Sequence, residues 1–224
     1  MADDSAFIFD LDGTLMDSVY QHVLSWAEAL EAEGIEVPIW RVHRRIGMSG
    51  GLFSQALMRE SGLELDEKSR TRLSRGHADA FMKRVAAIRP LPGASALLAH
   101  LTALDIPWAI ATSGRAETAA PMIDKLGLPV DRMTIVTRDQ VAFAKPNPDL
   151  FLEAARRLDR PPGACFVVGD SIWDMLAARR AGSLGVGLLS GGYGDDELVR
   201  AGAFRVFAEP ADLFTGLFEL GIRS

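Results

Sequence analysis

The sequence predicts a doubly wound α/β fold, a parallel sheet with helices on both faces, interrupted once by an inserted helical domain. Three observations lead there. Short, almost wholly apolar runs recur at residues 6–10, 108–112, 133–137, 165–169 and 185–189, as strands buried on both faces require. Segments with helical spacing separate most of them, and alternating strand and helix is the pattern of a parallel sheet. Between the first run and the second the alternation fails, because residues 17–88 carry helical patterns and no convincing strand.

In chain order, the first strand leads into that insertion, whose helices are predicted over 19–33, 52–60 and 67–85. It closes on Arg89, Pro90, Leu91, Pro92 and Gly93, a stiff connector. At roughly 70 residues it is large enough for a small domain, so residues 1–16 and 91–224 are assigned to the α/β unit and 17–90 to the helical one. After the second strand, a helix over 116–126 stops at Gly127, a left-handed cap. After the third, Asn147 and Pro148 read as the cap and first residue of a helix reaching 158. A helix over 171–181 follows the fourth strand and ends at Gly182, and residues 205–207 offer a short sixth strand.

Composition narrows the function. The net charge of −6 is spread with both signs interspersed, which excludes a basic stripe for nucleic acid and a polybasic membrane anchor. Residues 1–5 are acidic and run straight into a strand, and no stretch approaches the ~20 apolar residues of a membrane span. The expectation is a soluble, cytoplasmic protein. The lone Cys165 lies in an apolar run and reads as a buried structural thiol. Gly185, Gly187, Gly191 and Gly192 come late, not in the turn after the first strand, which speaks against a dinucleotide site.

In open α/β sheets ligands bind beyond the carboxyl ends of the strands. The first strand delivers Asp10 and Asp12 there, projecting to one side, with Gly13 permitting a sharp turn. The second delivers the hydroxyl donors Thr112 and Ser113. Lys145 follows the third, and the fourth delivers Asp170, with Asp174 four residues on along a helix face. Four acids in one cleft repel without a cation. Ligands that are all oxygen, with no cysteine or histidine nearby, favour a hard ion, magnesium first. A magnesium ion, a lysine and hydroxyl donors together suit a phosphoryl group.

This ordered set resembles the haloacid dehalogenase superfamily of phosphatases over nearly the whole chain. Asp10, Leu11, Asp12, Gly13 and Thr14 resemble its first motif, Thr112 its second, Lys145 its third, and Gly169, Asp170, Ser171, Ile172, Trp173 and Asp174 its fourth. The insertion resembles the helical cap of the phosphoglycolate phosphatase and β-phosphoglucomutase group. The resemblance implies that Asp10 is a nucleophile that becomes phosphorylated, and that Asp12 serves as acid and then base. It implies Mg2+ held by the Asp10 carboxylate, the Asp12 backbone carbonyl and Asp170, with Asp174 in support. Thr112, Ser113 and Lys145 would hold the phosphoryl oxygens. Asp12 separates the phosphatases from the halide-releasing branch, which lacks that acid.

The implied substrate is a small phosphorylated metabolite, a sugar phosphate or a phosphoglycolate-like ester. His22 lies in a stretch similar to the first cap helix of β-phosphoglucomutase, where a histidine approaches the site. Arg44 and Arg45 are candidates for a second anionic group, and Arg115 for the cleft beside Thr112. Trp26, Trp40 and Trp173 read as packing residues. Two alternatives share the core residues: a phosphosugar mutase, and a phospho-accepting signalling module, whose acceptor aspartate follows a later strand.

Overall fold

The computed structural model describes residues 5–62, 65–130 and 133–222. Six strands are present among them: β1 (Ala6–Phe9), β2 (Trp108–Ala111), β3 (Thr134–Val136), β4 (Cys165–Gly169), β5 (Leu184–Leu188) and β6 (Ala203–Phe207). They lie in the order β3-β2-β1-β4-β5-β6, and every neighbouring pair is parallel. The order reverses direction between β1 and β4, so the crevice at their carboxyl ends is the switch point where such sheets bind ligands.

Alternation along β1 divides the core. Phe7 and Phe9 face one layer, shared with Leu97, Leu98 and Leu101 of α5 (Ala94–Ala103), Met122 and Ile123 of α6 (Ala116–Ile123) and Leu213 of α10 (Pro210–Thr215). Ala6 and Ile8 face the other, against Leu150, Phe151 and Ala154 of α7 (Asp149–Arg157) and Ala177 and Ala178 of α8 (Ile172–Ala181). Both faces are covered, which is why the strand runs lack polar alternation. The short helix α9 (Asp195–Ala201) packs on β6.

The insertion contains α1 (Val19–Ala32), α2 (Ile39–His43), α3 (Gly50–Ser61) and α4 (Glu67–Met82). It has its own apolar cluster, including Val23, Trp26, Leu30, Phe53 and Leu73. Asp66 caps α4 by accepting the Ser69 N–H at 2.7 Å, and α3 ends on Gly62 at φ 67°. The two chain segments that enter and leave the insertion are stitched together: Met16 pairs with Pro90, the Asp17 N–H donates to Arg89 O at 2.9 Å, and the Leu91 N–H to Leu15 O at 2.9 Å.

Several elements differ from expectation. Helix α7 starts at Asp149 with Pro148 as its cap, and Asn147 is turned back instead, its N–H donating to Ala144 O at 3.1 Å and its side-chain amide to the same oxygen at 3.5 Å. The helix expected over 116–126 is α-helical to Ile123 and then tightens into a 3-10 turn, Asp124–Leu126. Trp40 is 63% exposed, with the Arg41 guanidinium over its ring, so it is no packing residue. Helices α2, α5, α9 and α10 were not anticipated; three have seven residues or fewer, too short to show a periodicity. Among the described residues no helix is long and apolar enough to cross a membrane.

Candidate active site

The end of β1 continues one more ladder step, the Asp10 N–H donating to Val168 O at 2.9 Å, before the chain turns sharply over residues 11–16. Gly13 makes that turn at φ 77°, where a side chain would strike the Asp170 carboxylate, a Cβ falling 2.5 Å from Oδ2. The turn brings Asp10 and Asp12, two residues apart, to the crevice, and the two meet opposite environments.

Asp10 belongs to a buried charge cluster. Lys145 Nζ lies 2.5 Å from Asp10 Oδ1 and 2.7 Å from Asp174 Oδ1, and the lysine is fully buried. Asp10, Asp170 and Asp174 each offer a carboxylate oxygen within 4.8 Å of the others. Burial, then the charges of Asp174 and Asp12, push the Asp10 carboxyl up to about 7 against the pull of Lys145. Burial likewise raises Asp170 well above the usual carboxylate range, with Asp174 and Asp10 adding to it. Burial would lower the Lys145 ammonium, yet the two carboxylates beside it outweigh this and raise it. Three acids against one lysine leave a negative deficit, and every donor is a hard oxygen. The set therefore fits a hard divalent cation. The room around the Asp170 carboxylate is kept by Gly13 and also by Gly191, where a Cβ would overlap Asp170 Oδ2.

Asp174 divides its oxygens. Oδ1 takes the lysine, while Oδ2 accepts the Ser171 N–H at 3.1 Å and its hydroxyl at 2.5 Å, a capping box that starts α8. Replacing Lys145 with methionine, of similar length, would leave three clustered acids with no cation. We expect a loss of about 3 kcal/mol of stability, the scale for breaking a buried ion pair, read as a lower urea midpoint in the metal-free protein. An unchanged midpoint would mean that the acids are already neutral in the resting state.

Asp12 is held from the opposite side, by the insertion. Its Oδ1 accepts the Ser18 hydroxyl at 2.5 Å and lies 3.0 Å from His22 Nε2. Burial would raise this carboxyl, but the His22 ring, its hydrogen bond and that of Ser18 hold it below the ordinary value. Oδ2 is turned toward Gly114, 4.0 Å from where a Cβ would stand. Thr112 is buried, its Oγ1 accepting the Gly114 N–H at 2.9 Å, which leaves the hydroxyl hydrogen to donate elsewhere. Ser113 Oγ is buried without a hydrogen-bond partner among the described residues, and it lines the cleft. Such an unspent donor is costly unless a ligand completes it.

The cleft, of about 390 Å³, runs from Asp10, Asp12 and Lys145 to a wall of the insertion that includes His22, Trp26, Ser49, Phe53 and His77. Arg45 lines it, with NH1 donating to Arg41 O at 2.6 Å, and Arg115 sits at its mouth, 72% exposed and 3.5 Å from Asp139. Arg44 does not face the cleft. Its guanidinium pairs with Glu197 of α9 and lies over the Tyr193 ring, and its carbonyl accepts from Tyr193 OH at 2.7 Å and Trp173 Nε1 at 3.3 Å. It fastens the insertion to the sheet unit, aided by His43 Nε2, 2.8 Å from Gly191 O. Ser18 and His77 escaped the sequence reading. The signal for His77 was present in its spacing from Phe81, matched by His22 and Trp26 on α1, which places two aromatic pairs on facing helical stripes.

A model of the haloacid dehalogenase-like hydrolases matches residues 5–182. Hexitol phosphatase A of Escherichia coli K12 is 34% identical over 178 residues, 79% of this chain and 79% of that protein. Phosphoglycolate phosphatase of Neisseria meningitidis is 34% identical over 203 residues, 87% of this chain and 83% of that one. Mutases also occur among the relatives: β-phosphoglucomutase of Bacillus subtilis is 31% identical over 83% of this chain and 84% of its own. The crystal structure of a hydrolase from Pseudomonas syringae superposes with a TM-score of 0.95 at 52% identity, covering 96% of this chain and 99% of that one. The chain belongs to the haloacid dehalogenase-like hydrolase family.

Proposed function

We propose that the chain is a magnesium-dependent phosphatase that hydrolyses a small phosphorylated metabolite, a sugar phosphate or phosphoglycolate-like ester, through a phospho-aspartate on Asp10. The observation that carries this reading is the contrast between Asp10 and Asp12. One sits in a buried cluster with Lys145 and two further acids; the other is anchored through one oxygen by Ser18 and His22. Neighbouring carboxyls in opposed environments are suited to different roles in one reaction.

In the first half-reaction an Asp10 oxygen attacks phosphorus, the bond to the ester oxygen breaks, and Asp12 gives that oxygen a proton. Asp12 rests as a carboxylate, and the negative charge of an arriving phosphate raises its carboxyl toward the protonated form. In the second, water attacks phosphorus, Asp12 takes its proton, and Asp10 is released as a carboxylate. Lys145 and the hydroxyls of Thr112 and Ser113 hold the phosphoryl oxygens meanwhile. Magnesium would be held by the Asp10 carboxylate, Asp170 and the Asp12 backbone carbonyl, with Asp174 beside them. When bound it supplies positive charge to the phosphoryl group and the acid cluster. Residues 17–90 act as a cap that closes the cleft over the substrate and excludes bulk water.

The phosphosugar mutase remains the second reading, favoured by its presence among the relatives. It needs a second phosphate site in the cap, and one of the three arginines available for that, Arg44, is committed to Glu197. Phosphate release should therefore occur with hexitol phosphates, hexose phosphates or phosphoglycolate, without isomerisation. Incubation with β-glucose 1-phosphate and a trace of the 1,6-bisphosphate is the direct comparison. Conversion to glucose 6-phosphate much faster than phosphate release would overturn the hydrolase reading.

A further inference from the structure

His77, on α4, lines the cleft half-buried and has no part in the reaction described above. Its Nε2 lies 3.0 Å from His22 Nδ1, while His22 Nε2 lies 3.0 Å from Asp12 Oδ1. The three side chains form one chain of hydrogen bonds running from the insertion to the carboxylate. Both rings are clamped: Trp26 stacks on His77 at 4.2 Å between centroids and 16° between planes, and Phe81 on His22 at 3.9 Å and 5°.

A carboxylate only accepts, so His22 must present Nε2–H to Asp12, and its Nδ1 is then the nitrogen that faces His77 Nε2. The two nitrogens complete one hydrogen bond, with the hydrogen on the His77 side when the His22 ring is neutral and on the His22 side when it is charged. We propose that His77 is a positioning residue for Asp12. By engaging His22 Nδ1 it fixes the ring orientation of His22, which in turn saturates Asp12 Oδ1 together with Ser18. Proton transfer is thereby left to Oδ2, the oxygen turned toward Gly114.

The inference rests on the acid–base reading of Asp12, and the test separates the two. His77→Phe keeps an aromatic ring against Trp26 and removes the hydrogen-bonding nitrogen, whereas His77→Gln keeps an amide that donates or accepts near the position of Nε2. Steady-state rates are compared on an alkyl phosphate, such as glycerol phosphate, and on p-nitrophenyl phosphate, whose leaving group needs little protonation. His77→Phe should lower kcat on the alkyl ester by about 10- to 100-fold, a part of the ~10²–10⁴-fold that positioned acid–base catalysis supplies. KM should change little, the aryl ester should lose far less, and His77→Gln should recover most of the rate. Equal losses on both esters, a change in KM alone, or no change would overturn the proposal and leave His77 a packing residue. Asp12→Ala provides the control. If it hydrolyses the alkyl ester at the parent rate, the acid–base reading falls too; if it fails while His77→Phe is unaffected, only the inference about His77 falls.

Discussion

Replacing Asp10 with asparagine is expected to reduce turnover by roughly 10⁴-fold or more, the scale of removing a covalent nucleophile, while the fold stays intact. An amide has nearly the same shape but does not form the acyl phosphate. The structural cost is small because Lys145 keeps its second partner, Asp174 Oδ1 at 2.7 Å. Loss of one acid from a cluster of three also relieves the repulsion that pushes the remaining carboxyls up. The melting temperature should therefore be equal to or above that of the parent. Acid quenching of the parent during turnover, followed by peptide mass spectrometry, should place phosphate on Asp10. Phosphate on a serine or histidine, or an asparagine variant within about tenfold of parent turnover, would remove Asp10 from the proposed role.

Removing divalent cations is the second change of large expected effect. Exhaustive chelation should abolish phosphate release, magnesium should restore it, and Asp170→Ala should greatly raise the magnesium concentration needed. Full activity after chelation would rule the proposed mechanism out, and zinc outperforming magnesium would contradict the hard-oxygen argument. The same cluster predicts a pH dependence. In the metal-free protein the Asp10 carboxyl is raised to about 7 from an ordinary value of 3.8. The folded form thus binds more protons than the unfolded chain between those values. Its contribution to stability is complete at low pH and is lost as pH rises through that window. A cation binds the ionised acids and opposes this loss. The gain in melting temperature on adding magnesium should accordingly be larger at about pH 7.5 than at about pH 5. A gain independent of pH would show that the acids ionise without penalty.

The half of the candidate site that the sheet contributes was readable in the sequence because it lies at strand ends. Asp10, Thr112 and Asp170 each follow an apolar run directly, and a parallel sheet carries such ends to one edge. Lys145 sits farther from its strand, yet its meeting with Asp10 and Asp174 follows from the same topology. The wall contributed by the insertion was readable only in part. His22 came through by resemblance, whereas Ser18 is a single polar residue that nothing local marks, and His77 is marked only by its helical spacing from Phe81. Arg44 shows the opposite error. Its neighbour Arg45 does line the cleft, but adjacent residues on a helical turn point about 100° apart, so both cannot face the same site. Short helices such as α9 and α10 leave too few turns to reveal a face, although α9 supplies the Glu197 that decides where Arg44 points.

Asp174 also bears on how the protein fails when heated. One of its oxygens closes the first turn of α8 and the other balances Lys145. Fraying of that turn therefore withdraws one of the lysine's two counter-charges and leaves it to Asp10 alone. The start of a helix and the electrical balance of the site are linked through one carboxylate. Loss of activity on heating is accordingly expected to accompany the first melting of α8.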